Sequence, residues 1–330
     1  MDLTPAEQEK IAQLRNKFAH TGQDMVSYLE GLLHSRYLTY WDYLHVDTLL
    51  SLQTPRTDFP DELIFICYHQ ITELYFKLIL TELDQICGPD LSITLEEGLM
   101  RIGRINAYFK NLTQSFDVMV GGMDPRQFLQ FRMALLPASG FQSAQFRLIE
   151  LRLTDVENLV HEKAREAVKL QPSREVHFGY CIDNLYWKFG NLELKSGHKT
   201  LTLRMFEEKY DALFRQTVMA NADANLMAWV RHRPDAERND PRLVQALRTL
   251  DVAVNVFWKL SHYKSAVRYL QKDPEDIKAT GGTNWQQYLP PRFQRVVFYP
   301  TLWSPQELAE WGKGWVLELF KEKVESGWNV

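Results

Sequence analysis

One segment constrains this chain more than any other. Residues 63–83 form its most hydrophobic stretch, yet His69, Glu73, Lys77 and Glu82 interrupt the apolar run. A bilayer core would penalise those four groups heavily, so a helix inside a water-soluble core is expected. Asp58, or Asp61 after Pro60, can cap it, and Gly88-Pro89 stops it after Cys87. Being apolar nearly all round, such a helix is expected to be central.

Helical periods dominate the rest, and no run of alternating strands with hairpin turns interrupts them. Thr94-Leu95-Glu96-Glu97 is a capping box opening a helix whose Leu99, Ile102, Phe109, Leu112 and Phe116 recur on one face. Asp124-Pro125 caps a short helix through Leu136, which Pro137-Ala138-Ser139-Gly140 breaks. Further helices are expected over residues 141 to about 170, 201–219, 240–270 (from Asp240-Pro241) and 305 to about 323. Residues 171–197 hold several aromatics with a weak period and receive no assignment. With no Gly/Ser linker or internal repeat, the expectation is an all-α protein. A charged, amphipathic helical arm over residues 1–35 precedes a single domain over 36–330.

Composition narrows the partners. The 330 residues are 45% hydrophobic and 24% charged, with a net charge of −4 and no basic stripe for a phosphate backbone. Nucleic acid is not expected, and the mixed-sign stretch from Arg231 to Arg238 reads as a solvated loop. Three widely spaced cysteines make no disulfide framework, which suggests a reducing compartment. The polar N-terminus lacks the apolar run of a secretory signal. A cytoplasmic protein that does not use a membrane is expected. Aromatic residues make up 12% of the chain; such a core can surround a large flat ligand, although aromatic cores without one are commoner.

Several residue pairs could carry chemistry. Phe65 and His69 share a face of the apolar helix at i, i+4. The imidazole there is either a core histidine bonded to a backbone carbonyl or to Glu73, or a functional group. Trp258 and His262 repeat the spacing. A lone imidazole on a long apolar helix does not suit tetrahedral zinc, but it suits the proximal side of a haem, if it is not simply structural. Phe128 and Arg132 are again i, i+4; the guanidinium either snorkels to solvent or clamps a carboxylate by two points. Ser139-Gly140-Phe141-Gln142-Ser143 lacks the pattern of a nucleophile elbow and can be a helix-joining turn. Thr280-Gly281-Gly282-Thr283 is a Gly-rich turn without a phosphate-loop lysine, a loop or a lid.

Taken in order, these segments resemble the tryptophan 2,3-dioxygenase family from about Tyr40 to Trp303, with a poorly matched middle between about Leu170 and Val244. The stretch from Tyr40-Trp41-Asp42-Tyr43-Leu44 to Leu50 is similar to the family's N-terminal pocket segment. Asp61 through Lys77, with Phe65 and His69, resembles its distal helix. Phe131-Arg132 through Pro137-Ala138-Ser139-Gly140-Phe141-Gln142-Ser143 to Gln145-Phe146-Arg147 is the most specific match. Trp258 to His262, Arg268, Thr280-Gly281-Gly282 and Phe298-Tyr299-Pro300 resemble the proximal helix, lid and C-terminal return.

The resemblance implies a heme b (haem) enzyme with roles for each position. His262 would ligate the iron, with Trp258, Ser139, Gly140 and Arg268 around the macrocycle. His69 would accept a hydrogen bond from the substrate's indole N–H, as the catalytic histidine, and Phe65 would form an apolar wall over the haem. Arg132 would hold the amino acid's carboxylate and Thr280 would help to position its ammonium. Tyr40, Tyr43, Leu44 and Phe128 would complete the pocket, part of it supplied by a neighbouring subunit in a homotetramer. The implied reaction inserts both atoms of dioxygen across the indole C2–C3 bond of L-tryptophan, or a related aromatic amino acid, giving N-formyl-L-kynurenine.

The chain departs from the family where Ser-Ser-Gly of the lid becomes Thr283-Asn284-Trp285, where the spacer over 271–278 is longer, and where Tyr75 replaces a common Trp. Two other functions stay open: a haem-dependent hydroxylase acting on tyrosine or a substituted tryptophan, and a non-catalytic haem sensor or carrier. The His-x-x-x-Cys pairing of covalent-haem relatives is absent, since residue 73 is Glu and residue 266 is Ala. Retention of Arg132 and Thr280 argues against a gas sensor, which needs no carboxylate clamp.

Overall fold

The computed structural model describes residues 3–22, 24–88, 91–193, 196–271, 290–291 and 295–313. It comprises two compact units, Met1–Gln53 and Thr54–Val330.

The first unit contains α1 (Pro5–Ala19), α2 (Met25–His34), α3 (Tyr40–Leu44) and α4 (Val46–Leu50). Each of the first three begins at a side-chain cap: Thr4 with Glu7, Asp24 with the Ser27 amide, Thr39 with the Asp42 amide. Phe18 stacks on Tyr28 with ring centres 3.6 Å apart. None of the four helices buries a residue, so Leu33, Tyr37 and Leu38 stay exposed.

The second unit is built on α5 (Pro60–Ile86), the expected apolar helix, which packs against α6 (Leu95–Ser115) and α8 (Ala144–Leu153). Its Phe76, Ile79, Leu83 and Ile86 are buried with Ile102, Ile105 and Phe109 of α6 and Ile149 of α8. Each such side chain contributes roughly 1.5–3 kcal/mol on leaving water. By length and composition alone α5 is also long and apolar enough to cross a membrane. Its carboxylates, however, are engaged within the chain: Glu62 accepts from the amides of Arg56 and Thr57 at 2.8 Å, and Glu82 from Arg101 and Arg104 at 3.0 and 3.1 Å. Only part of its apolar surface packs inside one chain; Leu63, Ile71, Leu74 and Leu78 are exposed.

The expected boundaries hold at three side-chain caps, whereas α5 follows Phe59 with no side-chain cap and neither Asp58 nor Asp61 fills that role. The Thr94 capping box starts α6, and Asp124 and Asp240 cap α7 (Pro125–Phe131) and α15 (Pro241–Val252). They fail where a distant contact competes with the local period. The helix expected over 141 to about 170 ends at Leu153. Thr154 and Asp155 are extended there; the Thr154 hydroxyl donates to the Phe298 carbonyl at 2.6 Å, and the Asp155 carboxylate takes Asn225 and Arg231. Short turns and α9 (Arg165–Val168) follow, and the unassigned stretch yields α10 (Arg174–Asp183) and α11 (Tyr186–Phe189). The helix expected over 201–219 appears as α12 (Leu201–Asn221).

The expected solvated loop is also different. Arg231 ends α13 (Leu226–Arg231), α14 spans Asp235–Arg238, and Arg233 donates to the Leu91 and Ile93 carbonyls at 2.8 and 3.0 Å. Of the helix expected over 305 to about 323, α17 covers Pro305–Ala309; residues 310–313 form a turn in which Gly312 at φ 74° is left-handed, and the remainder lies outside the described residues.

Between α15 and α16 (Lys259–Leu270) the backbone passes through a π-helical turn, Ala253–Trp258, without breaking. The fully buried Asp251 anchors this region to the C-terminal return. It accepts from the Phe298 and Tyr299 amides at 2.9 and 3.1 Å, the Trp303 indole at 3.1 Å and Asn255 at 2.8 Å.

Candidate haem and substrate site

A cavity of about 420 Å³ in the second unit is lined from α5, α7 and α16, the π-helical turn and the turn around Ser139. It gathers Phe65, His69, Phe128, Arg132, Ser139, Gly140, Trp258 and His262, eight of the residues singled out from the sequence.

The two histidines are arranged alike. On α5, His69 Nδ1 lies 2.7 Å from the Phe65 carbonyl oxygen, and the two rings are 4.1 Å apart. On α16, His262 Nδ1 lies 2.9 Å from the Trp258 carbonyl oxygen, with its ring edge-on to Trp258 at 4.4 Å and tilted against Phe116 at 4.6 Å. A carbonyl can only accept, so in both rings Nδ1 carries the proton and Nε2 keeps its lone pair. Burial lowers both pKa values, and that of His262 falls to about 4. Both imidazoles are therefore neutral bases at physiological pH. The i−4 carbonyl is also the acceptor that a metal-binding imidazole needs for its second nitrogen.

The walls are aromatic. Phe65 meets Phe131 edge-on at 5.8 Å, Phe128 tilts against Tyr269 at 4.7 Å, and Phe76 meets Trp258 edge-on at 6.0 Å. Arg132 sits in the tight turn Arg132–Leu135 after α7, buried and on the cavity wall, and burial lowers its pKa. The Ser139 amide donates to Gln142 at 2.9 Å, and Gln142 donates to the Thr202 carbonyl at 3.1 Å, which fixes this turn. At Gly140 an added Cβ would meet no heavy atom within 4 Å; space, rather than protein, adjoins it.

Arg268 is exposed on α16, outside the lining formed by Ser265, Ala266, Tyr269 and Leu270. Tyr40, Tyr43 and Leu44 are exposed residues of the first unit. Thr280, with Gly281, Gly282 and Trp285, lies outside the described residues. Tyr75, one of the departures from the family pattern, packs near Tyr108 at 6.0 Å and does not line the cavity.

The cavity also contains groups that the sequence reading missed. Arg147 is buried beside the Phe146, Tyr186 and Trp187 rings and donates to Glu150 at 2.8 Å, Tyr186 at 3.1 Å and the Phe141 carbonyl at 3.3 Å. Tyr186 in turn donates to Glu150. Tyr186, Trp187, Gly190 and Asn191 come from the stretch that had no clear period, and Lys259 directly follows Trp258. Arg147 and Glu150, charged at i, i+3 among apolar neighbours, were the one available signal.

A second cavity of about 230 Å³ is lined by charges that pair with one another, Arg231 with Asp155 and Arg174 with Asp223. Burial pushes the Cys87 and Cys181 thiols up to about 12, which removes them as nucleophiles.

The donor set fits a haem. Among the described residues no three His, Cys, Asp or Glu side chains come together to hold a bare metal ion. The neutral His262 imidazole with its Nε2 lone pair, aromatic walls and open space at Gly140 instead suit a flat macrocycle that brings its own nitrogen ligands.

The family model described as Tryptophan 2,3-dioxygenase matches residues 31–172. The chain is 50% identical over 121 residues to a tryptophan 2,3-dioxygenase of Herpetosiphon aurantiacus, covering 36% of this chain and 46% of the relative. It is 29% identical over 278 residues to that of Bacillus thuringiensis subsp. konkukian, covering 81% and 91%. A third match, to Anaeromyxobacter sp. strain K, is 44% identical over 125 residues, 36% and 45% of the two chains. The first and third matches thus span about half the length of the relatives, whereas the second runs nearly end to end.

Proposed function

We propose that the chain is a member of the tryptophan 2,3-dioxygenase family, a reading its matches support, and that its cavity holds a b-type haem on His262 and an aromatic amino acid beside it. The reaction is the insertion of both atoms of dioxygen across the indole C2–C3 bond of L-tryptophan, or a close analogue, to give N-formyl-L-kynurenine. One observation carries this reading: two neutral imidazoles, each with Nδ1–H tied to its own i−4 carbonyl, line a single aromatic cavity that also contains a buried arginine.

The roles follow from the side chains. His262 Nε2 is the available iron ligand. His69 Nε2 accepts the indole N–H and so fixes the ring's orientation. The Arg132 guanidinium offers two parallel N–H donors to the substrate carboxylate. Phe65 and Phe128 keep water from the reacting face, and Gly140 leaves the space a macrocycle edge needs. Haem, when bound, supplies the oxygen chemistry; the protein supplies orientation and a dry, low-dielectric site. Thr280 is assigned the ammonium group.

The exposed apolar residues of the first unit and of α5 support assembly into a homotetramer, with Tyr40, Tyr43 and Leu44 delivered to a neighbouring subunit's pocket. Arg268 is assigned to the haem periphery in that assembly. We place the enzyme in the cytoplasm, where its three cysteines stay reduced.

The test adds L-tryptophan and dioxygen to the ferrous haem protein. The absorption of N-formyl-L-kynurenine is expected to grow. Turnover on tyrosine with peroxide would instead indicate a hydroxylase, and no reaction with any aromatic amino acid would indicate a haem carrier.

A further inference from the structure

Lys259 precedes His262 by three residues and so stands about one helical turn from it. Its side chain is buried and lines the same cavity, with Nζ 4.5 Å from the centre of the Tyr186 ring. Among the described residues this nitrogen makes no hydrogen bond. An ammonium carries three donors, and burying all of them unmet is costly.

The neighbouring carboxylates are engaged elsewhere. Glu150 takes Arg147 and Tyr186, and Asp251 takes the Phe298 and Tyr299 amides, Asn255 and Trp303. Burial pushes the Lys259 ammonium down to about 8, opposed by the charge of Glu150, so it stays mostly charged at neutral pH. A charged donor with no acceptor among the described residues, on the wall of a cavity, is matched by an anionic group on whatever fills that cavity.

We propose that Lys259 seats a propionate carboxylate of the haem held by His262. The inference rests on the haem reading above. Arg132 is assigned to the amino acid's carboxylate, whereas Lys259 shares a helix with His262, so a ligand held through its metal at His262 would find in Lys259 a nearby cation for its own carboxylate. The cation–π contact with Tyr186 holds the ammonium in place before the ligand arrives.

The experiment titrates haem-free protein with hemin and with hemin dimethyl ester, which lacks free carboxylates, following the Soret band. Native protein should bind hemin about tenfold more tightly than the diester, the size expected of a charge-assisted hydrogen bond. Lys259→Met should lose about tenfold for hemin and nearly all discrimination against the diester; Lys259→Arg should keep both. Equal affinity of the native protein for hemin and diester would overturn the Lys259 seat alone. So would Lys259→Met with unchanged hemin affinity. The diester comparison on native protein stands even if Lys259→Met does not fold. Native protein that develops no Soret band overturns the haem reading, and this inference with it.

Discussion

The Nδ1 nitrogen of His262 points at the carbonyl oxygen of Trp258, 2.9 Å away and four residues back on the same helical run. The bond settles which nitrogen of the ring is left to bind, and burial keeps that nitrogen free of a proton.

A pH dependence follows. Folded His262 has a pKa of about 4 against an ordinary value of 6.5. Between those values the unfolded chain takes up a proton that the folded chain refuses. Stability of the haem-free protein is therefore complete above about pH 6.5 and is lost as pH falls towards 4, by a few kcal/mol. Urea melts across this range should show the slope. His262→Phe should flatten it in part, since His69 is shifted in the same direction, and should abolish the Soret band of the haem-loaded protein.

Arg132→Ala should raise KM for the amino acid and lower kcat/KM by about one to two powers of ten, the loss of a two-point charged contact. The haem spectrum without substrate should not change. Unaltered catalytic efficiency would remove Arg132 from the carboxylate clamp.

Gly140→Leu should fold, because an added Cβ there meets nothing within 4 Å. It should nevertheless fail to take up haem. Thermal melting of the haem-free variant close to that of the native protein, together with a missing Soret band, is the expected pair of results.

Gly98 behaves oppositely. A Cβ there would come 2.4 Å from the ring of Trp229, a fully buried side chain packed across from α6. Gly98→Ala should cost about 1–3 kcal/mol by overpacking, despite its better helix propensity. Chemical denaturation measures this, and haem affinity should fall only through stability.

Much of the fold was legible in advance because local signals and tertiary packing agree. Thr94, Asp124 and Asp240 cap helices that the core also wants. Residues 154–197 were not legible, because partners far away in sequence decide them: Phe298 for Thr154, Asn225 and Arg231 for Asp155. The i, i+4 spacing put Phe65 with His69, Phe128 with Arg132 and Trp258 with His262 on shared helix faces but left each pair structural or functional; the ordered family resemblance singled them out, and all six line the cavity. The i, i+3 spacing marks Arg147 with Glu150, but their junction with Tyr186 and the contact of Lys259 with the Tyr186 ring could not be read, since both depend on which helices meet.

The wide turn from Ala253 to Trp258 also sets the aim of what comes after it. A residue added to or removed from an α-helix rotates everything downstream by about 100° around the axis. Shortening that turn by one residue would leave every downstream side chain chemically intact yet swing residue 262 away from its present bearing, so the phase of this helix is inherited from a six-residue turn of which only Trp258 lines the cavity.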